Sequence, residues 1–442
     1  MLRTLASTAT KQEEDHSQRQ RQPEKITLSN YFPSGSIYFY SFPAGEDSKF
    51  YNAVPPWIEE LVAARPLVCA GEQAKVLVFS ATSTDEIKNV LQNICGLSLA
   101  KPEQIIKLSD SISSDLSGDA RNKAVKNNLG GLVKKRNLIM AQPFLDKNLK
   151  ATFQINPDLT VWLNDKENLP AFVPSQYLPQ RTAWFQNGLQ FAASEMPAFP
   201  CVVKVSSSSA GDGVRVCHGE HSFAKAKNDF RRIANRPIYV EQHIPAKENY
   251  CVQFAIPFEK NQDIEIIGQN RQLTSPAGEF LGAAVDLRDA NPVLQKIYEV
   301  LLETVLPKIR GMGWYGIGGI DVLVDQGGNF YFIDANFRMT ATFAYVCQAR
   351  SGLIQKPVIS FTGSFNGSIE QLKNVLFPHA TKGHANQILE MLSLTRRQGT
   401  YWFNAGMMFD HPETVTQNAT DLLRLGVNSQ VLANLVQSPH LF

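Results

Sequence analysis

The chain has 442 residues, 43% of them apolar, and sets 43 Lys and Arg against 41 Asp and Glu for a formal charge of +2. That length accommodates about two to four domains with real cores. The near-balanced charge excludes a surface built to track a polyphosphate, so a small molecule rather than nucleic acid or membrane is the expected partner. Cys69, Cys95, Cys201, Cys217, Cys251 and Cys347 contain no C-x-x-C pair, which excludes a zinc site of that kind and a dense disulfide framework. They read as thiols of a reducing compartment, and the cytoplasm is the expected location. No apolar run approaches the roughly 20 residues needed to span a bilayer.

Residues 1–25 are polar after Leu5, carry Glu13, Glu14 and Asp15, and lack the apolar segment of a signal peptide; a disordered tail is expected. Residues 26–160 begin with the strand-like Ile37-Tyr38-Phe39-Tyr40 and an amphipathic helix over Trp57–Ala64. The strand Lys75–Phe79 then meets a polar turn and a helix over Glu86–Ile94, capped by Thr84 or Asp85. Strand, turn and helix in this order predict an α/β domain. Ser109–Arg136 is polar, with a break at Gly130-Gly131 and a basic run, Lys134-Lys135-Arg136, that reads as a solvated face or mobile loop, a phosphate patch being the alternative. Thr160-Val161-Trp162-Leu163 reads as a strand ending at Asn164-Asp165-Lys166, and Pro170, Pro174 and Pro179 mark a boundary.

Cys201–Val205 and Val214–Val216 predict a hairpin whose tip, Ser206 to Gly213, is made of small residues. Ser207, Ser208, Gly211 and Gly213 leave backbone N–H groups open to a phosphate, and Lys204 adds a point charge. Taken alone, such a tip is more often that of a loop that binds nothing. Ile238–Ile244 reads as a strand with a polar end, followed by Glu248. Backbone groups of Glu241, Gln242, His243 and Ile244 suit a purine edge, and the Glu248 carboxylate suits two ribose hydroxyls; an ordinary strand end is the plainer reading. Pro292–Ile309 has helical periodicity. Gly316, Gly318 and Gly319 follow a helix and precede a strand, the reverse of a dinucleotide fingerprint.

Two strands, Ile320–Val324 and Phe330–Ile333, flank the turn Asp325–Asn329. Alternation puts Asp334 and Asn336 on one face, where a suitable register brings Asp321 beside them. Two carboxylates and an amide oxygen suit Mg²⁺, and Arg338 on the same face can clamp a phosphoryl oxygen. The alternative is a hairpin with polar residues on its wet face.

In this order, the pieces from Asn164 to Arg350 resemble the ATP-grasp superfamily, in which two α+β subdomains close on ATP, behind an N-terminal α/β domain like the family's pre-ATP-grasp domain. The resemblance implies an ATP-grasp domain over residues 161–350, with a small lid subdomain over about 183–244, and a C-terminal extension over 351–442. It assigns Lys166 and Lys204 to the ATP phosphates and residues 241–244 to the adenine hinge. Glu248 falls to the ribose, Asp321, Asp334 and Asn336 to Mg²⁺ (Mn²⁺ being the alternative ion), and Arg338 to the transferred phosphoryl group. Asp334 replaces the usual glutamate, Phe337 the usual proline, and Gly319-Ile320 stand where many members carry an arginine; Arg271 or Arg350 could supply that charge. The implied chemistry is ADP-forming activation of a carboxylate as an acylphosphate, followed by attack of an amine. A carrier-protein thiol as acceptor and a non-catalytic ATP-binding protein are the alternatives. Small-molecule carboxylate and amine substrates follow, with the loop 274–282 and parts of the N- and C-terminal domains expected to shape the acceptor pocket and a homodimer left open. The C-terminal region is faintly similar to ligases of peptide-antibiotic and aminoglycoside pathways.

Overall fold

The computed structural model describes residues 25–42, 55–94, 98–112, 116, 118–133, 136–208, 211–274, 280–289, 291–376 and 389–437. Of the expected tail only Lys25 is described. Lys134 and Lys135, loop residues Ser209 and Ala210, and residues 275–279 lie outside the described set.

Strands β1 (Ile37–Phe39), β2 (Lys75–Val78), β3 (Ile105–Lys107) and β4 (Leu138–Met140) form a parallel sheet in the order β3-β2-β1-β4. Parallel neighbours require crossovers, and the helices Pro56–Ala64, Asp85–Asn89 and Gly118–Leu132 supply them. The Thr84 hydroxyl accepts the Ile87 amide at 3.3 Å and caps the short helix Asp85–Asn89. Gly130-Gly131 breaks nothing: the helix runs through both, held by buried Val125 and Leu129. The expected strand at Thr160–Leu163 is also corrected. Those residues belong to the helix Pro157–Leu163, where Asn156 accepts the Asp158 amide and Pro157 occupies the first turn. Helix-start chemistry outweighs the β preference of one Thr-Val pair.

A second, antiparallel sheet has the order β5-β8-β6-β7, from β5 (Arg181–Phe185), β6 (Cys201–Val205), β7 (Val214–Cys217) and β8 (Ile238–Gln242). Val203, Val205, Ile238 and Val240 on one face pack with Phe191, Phe223 and Phe230. Val202 pairs with Glu241 and Lys204 with Tyr239, so Lys204, Tyr239 and Glu241 share the other face.

The third sheet has nine strands: β9 (Ala246–Ile256), β10 (Glu265–Thr274), β11 (Phe280–Val285), β12 (Gly316–Asp325), β13 (Phe330–Asn336), β14 (Val358–Asn366), β15 (Leu389–Arg397), β16 (Thr400–Met408) and β17 (Val427–Asn428). Its order is β13-β12-β9-β10-β11-β14-β16-β15, with β17 on β14. Residues beyond 350 are therefore no appendage: β14 pairs directly with β11 and continues the sheet. The helical segment Pro292–Gly311, which contains a π-turn at Leu301–Val305, buries Leu294, Ile297, Leu301, Val305 and Ile309 in one core with Val252, Phe254, Ile320 and Phe332. No helix among the described residues is long and apolar enough to cross a membrane.

Candidate active site

On β12 and β13, Asp321 lies directly opposite Asp334 and Gly319 opposite Asn336. The turn that fixes this register is held by the Asp325 carboxylate, which accepts the amides of Gly327 and Asn329 at 2.8 and 2.9 Å, while Gly328 takes a φ of 80°. Beyond Asp321 the register slips and Val322 pairs with Phe332, leaving Ile333 as the extra residue of a bulge. Asp321 Oδ1 accepts from Gln272 Nε2 at 2.7 Å. Burial, and then the neighbouring Asp334 carboxylate, push Asp321 up to about 7. Two facing carboxyl groups are relieved by a shared proton or by a cation. Asn336 Oδ1, which accepts from Arg338 Nη2 at 2.7 Å, adds an amide oxygen. Among the described residues no cluster of three or more His, Cys, Asp or Glu side chains could hold a metal ion. A site of two carboxylates and one amide fits Mg²⁺, which keeps waters and takes phosphate oxygens for the rest of its shell.

Two lysines reach this hairpin. Lys166 opens a turn in which Asp165 accepts the Glu167 amide. Its Nζ lies 2.9 Å from Asp334 Oδ2 and donates to the Ser208 carbonyl at 2.8 Å. Lys204 Nζ lies 2.8 Å from Glu241 Oε2 and donates to the Ile333 carbonyl at 3.2 Å. Both ammonium groups are thus buried between the small sheet and β13. Ser207 and Ser208 are buried as well. A Cβ on Gly213 would come within 2.4 Å of the Ser208 side chain, so the loop folds back on itself only with glycine there. Gly211, with a φ of 81°, makes the turn. Arg181 stacks on Tyr239 at 4.1 Å and approaches Glu241 to 3.9 Å.

β8 ends at Gln242 and β9 begins at Ala246, so His243 and Ile244 fall in the short link expected to form the hinge. Gln242 is exposed, Ile244 is buried, and His243 is half-buried 5.6 Å from the His218 ring. Burial and His218 hold His243 below the ordinary histidine range.

Arg271 needs correction. Asn270 and Gln272 line the cavity that holds the carboxylate pair, and strand alternation turns Arg271 the other way. There its Nε pairs with Glu248 Oε2 at 3.2 Å and its Nη2 lies 3.7 Å from Asp289. Arg350 donates to the carbonyls of Ile266 and Ile267 at 2.6 and 3.0 Å. Neither supplies the charge that the glycine at 319 leaves missing. The glycine has a local cause: a Cβ there would stand 2.6 Å from Thr340 Cγ2 and 2.8 Å from Cys251 Sγ.

The cavity measures about 410 Å³ and runs from Asp321, Asp334, Asn336 and Arg338 to Arg65 and Thr362. Arg65 and Tyr40, contributed by the N-terminal domain, and Thr362 on β14 escaped the sequence reading. One signal was available for Arg65: with Pro55, Ile58 and Val62 it completes one face of the predicted helix.

Residues 179–336 match the family model described as L-aspartate–L-methionine ligase, ATP grasp, and so carry an ATP-grasp domain. Among curated proteins, the 2-oxoglutarate carboxylase small subunit of Hydrogenobacter thermophilus is 23% identical over 154 residues, 32% of this chain and 30% of that protein. The alignments span about a third of the length of the curated relatives. Among solved structures, an ADP complex of N5-carboxyaminoimidazole ribonucleotide synthetase is similar with a TM-score of 0.54 at 14% identity, covering 90% of this chain and 98% of that one. An L-amino acid ligase from Bacillus licheniformis is similar with a TM-score of 0.51 at 12% identity, covering 90% and 99%. At such identities these likenesses describe the fold, which is that of ATP-grasp proteins.

Proposed function

We propose that this chain, ATP-grasp in its domain and its fold, is an ADP-forming ligase that activates a small-molecule carboxylate as an acylphosphate and joins it to an amine. The observation that carries the reading is the convergence of Lys166, Asp321, Asp334, Asn336 and Arg338, with Lys204 one carbonyl away, at one end of a 410 Å³ cavity. The description of the matching family model supports a pair of amino acids as substrates.

Phosphoryl transfer needs positioning and charge neutralisation more than covalent help from the protein. Lys166 would leave Asp334 and Ser208, and Lys204 would leave Glu241 and Ile333, for ATP phosphate oxygens, and residues 241–244 would take the adenine edge. Asp321, Asp334 and Asn336 would hold Mg²⁺, or alternatively Mn²⁺, which supplies charge neutralisation across the phosphate oxygens. Arg338, oriented by Asn336 and donating to the Tyr40 hydroxyl at 3.3 Å, steadies the γ-phosphoryl group. A carboxylate oxygen attacks the γ-phosphorus and ADP leaves. The amine nitrogen then attacks the acyl carbon, loses its proton and expels phosphate.

A panel of carboxylates and amines assayed for substrate-dependent ADP release tests the reading. With the acceptor omitted, hydroxylamine should trap a hydroxamate, and oxygen-18 from the carboxylate should appear in inorganic phosphate. AMP and pyrophosphate as products would overturn it.

A further inference from the structure

Arg65 follows the helix Pro56–Ala64 and enters the cavity beside Ile58 and Val62. Its Nε donates to Asn404 Oδ1 at 2.8 Å, and the Tyr40 hydroxyl is a near polar neighbour. Both are neutral. Among the described residues no Asp or Glu lies within ion-pair distance of it. Burial presses its guanidinium below the ordinary range, and the nearby Arg338 guanidinium presses in the same direction. Arg65 is half-buried; charges withdrawn from water are normally paired, and a guanidinium has five N–H donors, most of which remain here for something else.

The surroundings are built for a ligand. Asn404 cannot turn its amide, because Oδ1 also accepts from Ser393 Oγ at 3.0 Å and Nδ2 donates to Thr362 Oγ1 at 2.8 Å. Thr340 lines the same cavity, is 93% buried from its 7% exposure, and its hydroxyl has no partner among the described residues. The Tyr40 hydroxyl, which accepts from Arg338, stands between the two guanidinium groups. A ligand on Arg65 would therefore lie within a few bonds of the phosphoryl end of the cavity.

We propose that Arg65, oriented by Asn404 and Tyr40, binds a substrate carboxylate that is not the one activated. This inference rests on the ligase reading above. The second carboxylate belongs either to the acceptor, as the α-carboxylate of an amino acid, or to a dicarboxylic donor, and a planar fork beside an uncharged amide suits either.

Calorimetry on the full chain with Mg²⁺ and a non-hydrolysable ATP analogue tests it. The ligands are free amino acids against their α-amides, and dicarboxylates against their half-amides. At least one acid should bind wild-type protein about 100-fold or more tightly than its amide, the scale expected when one partner of a buried charge pair is removed. Arg65→Gln should reduce that ratio to about threefold, and Arg65→Lys should fall between. Loss of discrimination in the amino-acid series assigns the carboxylate to the acceptor; loss in the dicarboxylate series assigns it to the donor. Where turnover is measurable, KM should rise with kcat largely kept. Three outcomes overturn the proposal: no acid outbinding its amide on wild-type protein, a ratio unchanged in a folded Arg65 variant, or a fall in kcat at constant KM. Should Arg65→Gln not fold, the wild-type ratio and Arg65→Lys decide. AMP formation or absence of nucleotide binding would sink the ligase reading alone, since the acid-to-amide ratio is measured independently of turnover.

Discussion

Asp334 accepts Lys166 at 2.9 Å and stands opposite Asp321, so it serves the lysine and the cation site together. Asp334→Asn leaves the buried Lys166 ammonium a hydrogen-bond acceptor but removes its ion-pair partner, so the fold should survive with a stability loss of up to about 3 kcal/mol, less whatever relief of the facing Asp321 carboxyl recovers. Substrate-dependent ADP formation should nevertheless fall at least about 100-fold, on the scale of removing a preorganised charge; full activity in the folded variant removes Asp334 from the site. Lys204 differs because its partner, Glu241, is only 8% exposed. Lys204→Ala strands that carboxylate and should cost about 3 kcal/mol in chemical denaturation, less whatever Arg181 at 3.9 Å recovers. Adding Glu241→Gln should restore stability without restoring MgATP affinity. Recovery of both would make the lysine structural.

At the scale of elements, the carboxylate hairpin was legible because alternation in β-strands is strict: placing Asp334 and Asn336 on one face needs only their spacing. The pairing of Asp321 with Asp334 needed a register, which the Asp325 turn supplies and which a bulge at Ile333 then breaks. Arg271 misled for the same reason. Its neighbours Asn270 and Gln272 face the cavity, and no pattern in the sequence says which parity of β10 does so. Arg65 and Asn404 are 339 residues apart, beyond any local signal. The Ser206–Gly213 loop can be tested as an element. Lys166 holds its Ser208 carbonyl, and phosphates that recruit Lys166 must offer the loop amides something in exchange. Hydrogen exchange at Gly211–Gly213 should therefore slow on addition of MgATP. Equal exchange with and without nucleotide counts against a phosphate loop.

At the scale of the molecule, the helix Pro56–Ala64 joins the parallel sheet to the far strands of the nine-stranded one. Trp57 meets Trp402 of β16 at a centroid distance of 4.0 Å, and Arg65 reaches Asn404 on the same strand. Two carboxyl groups are caught in this assembly. Burial pushes Glu390 on β15 up to about 7, and pushes Glu60 on the helix to about 7 against the opposing pull of Arg121. The sign follows from proton counting. Between the unfolded value of 4.5 and about 7, the folded chain holds a proton that the unfolded chain releases, so stability is greatest below 4.5 on this account and falls as pH rises toward 7. For Glu390 the loss is at most about 3 kcal/mol, at 1.36 kcal/mol per pH unit. Glu390→Gln keeps the size and removes the titration, so its thermal midpoint at pH 7.5 should exceed that of the wild type, with the difference shrinking toward pH 5. A constant difference across that range would mean that the Glu390 carboxyl titrates alike in both states and is not buried by the junction between the two sheets.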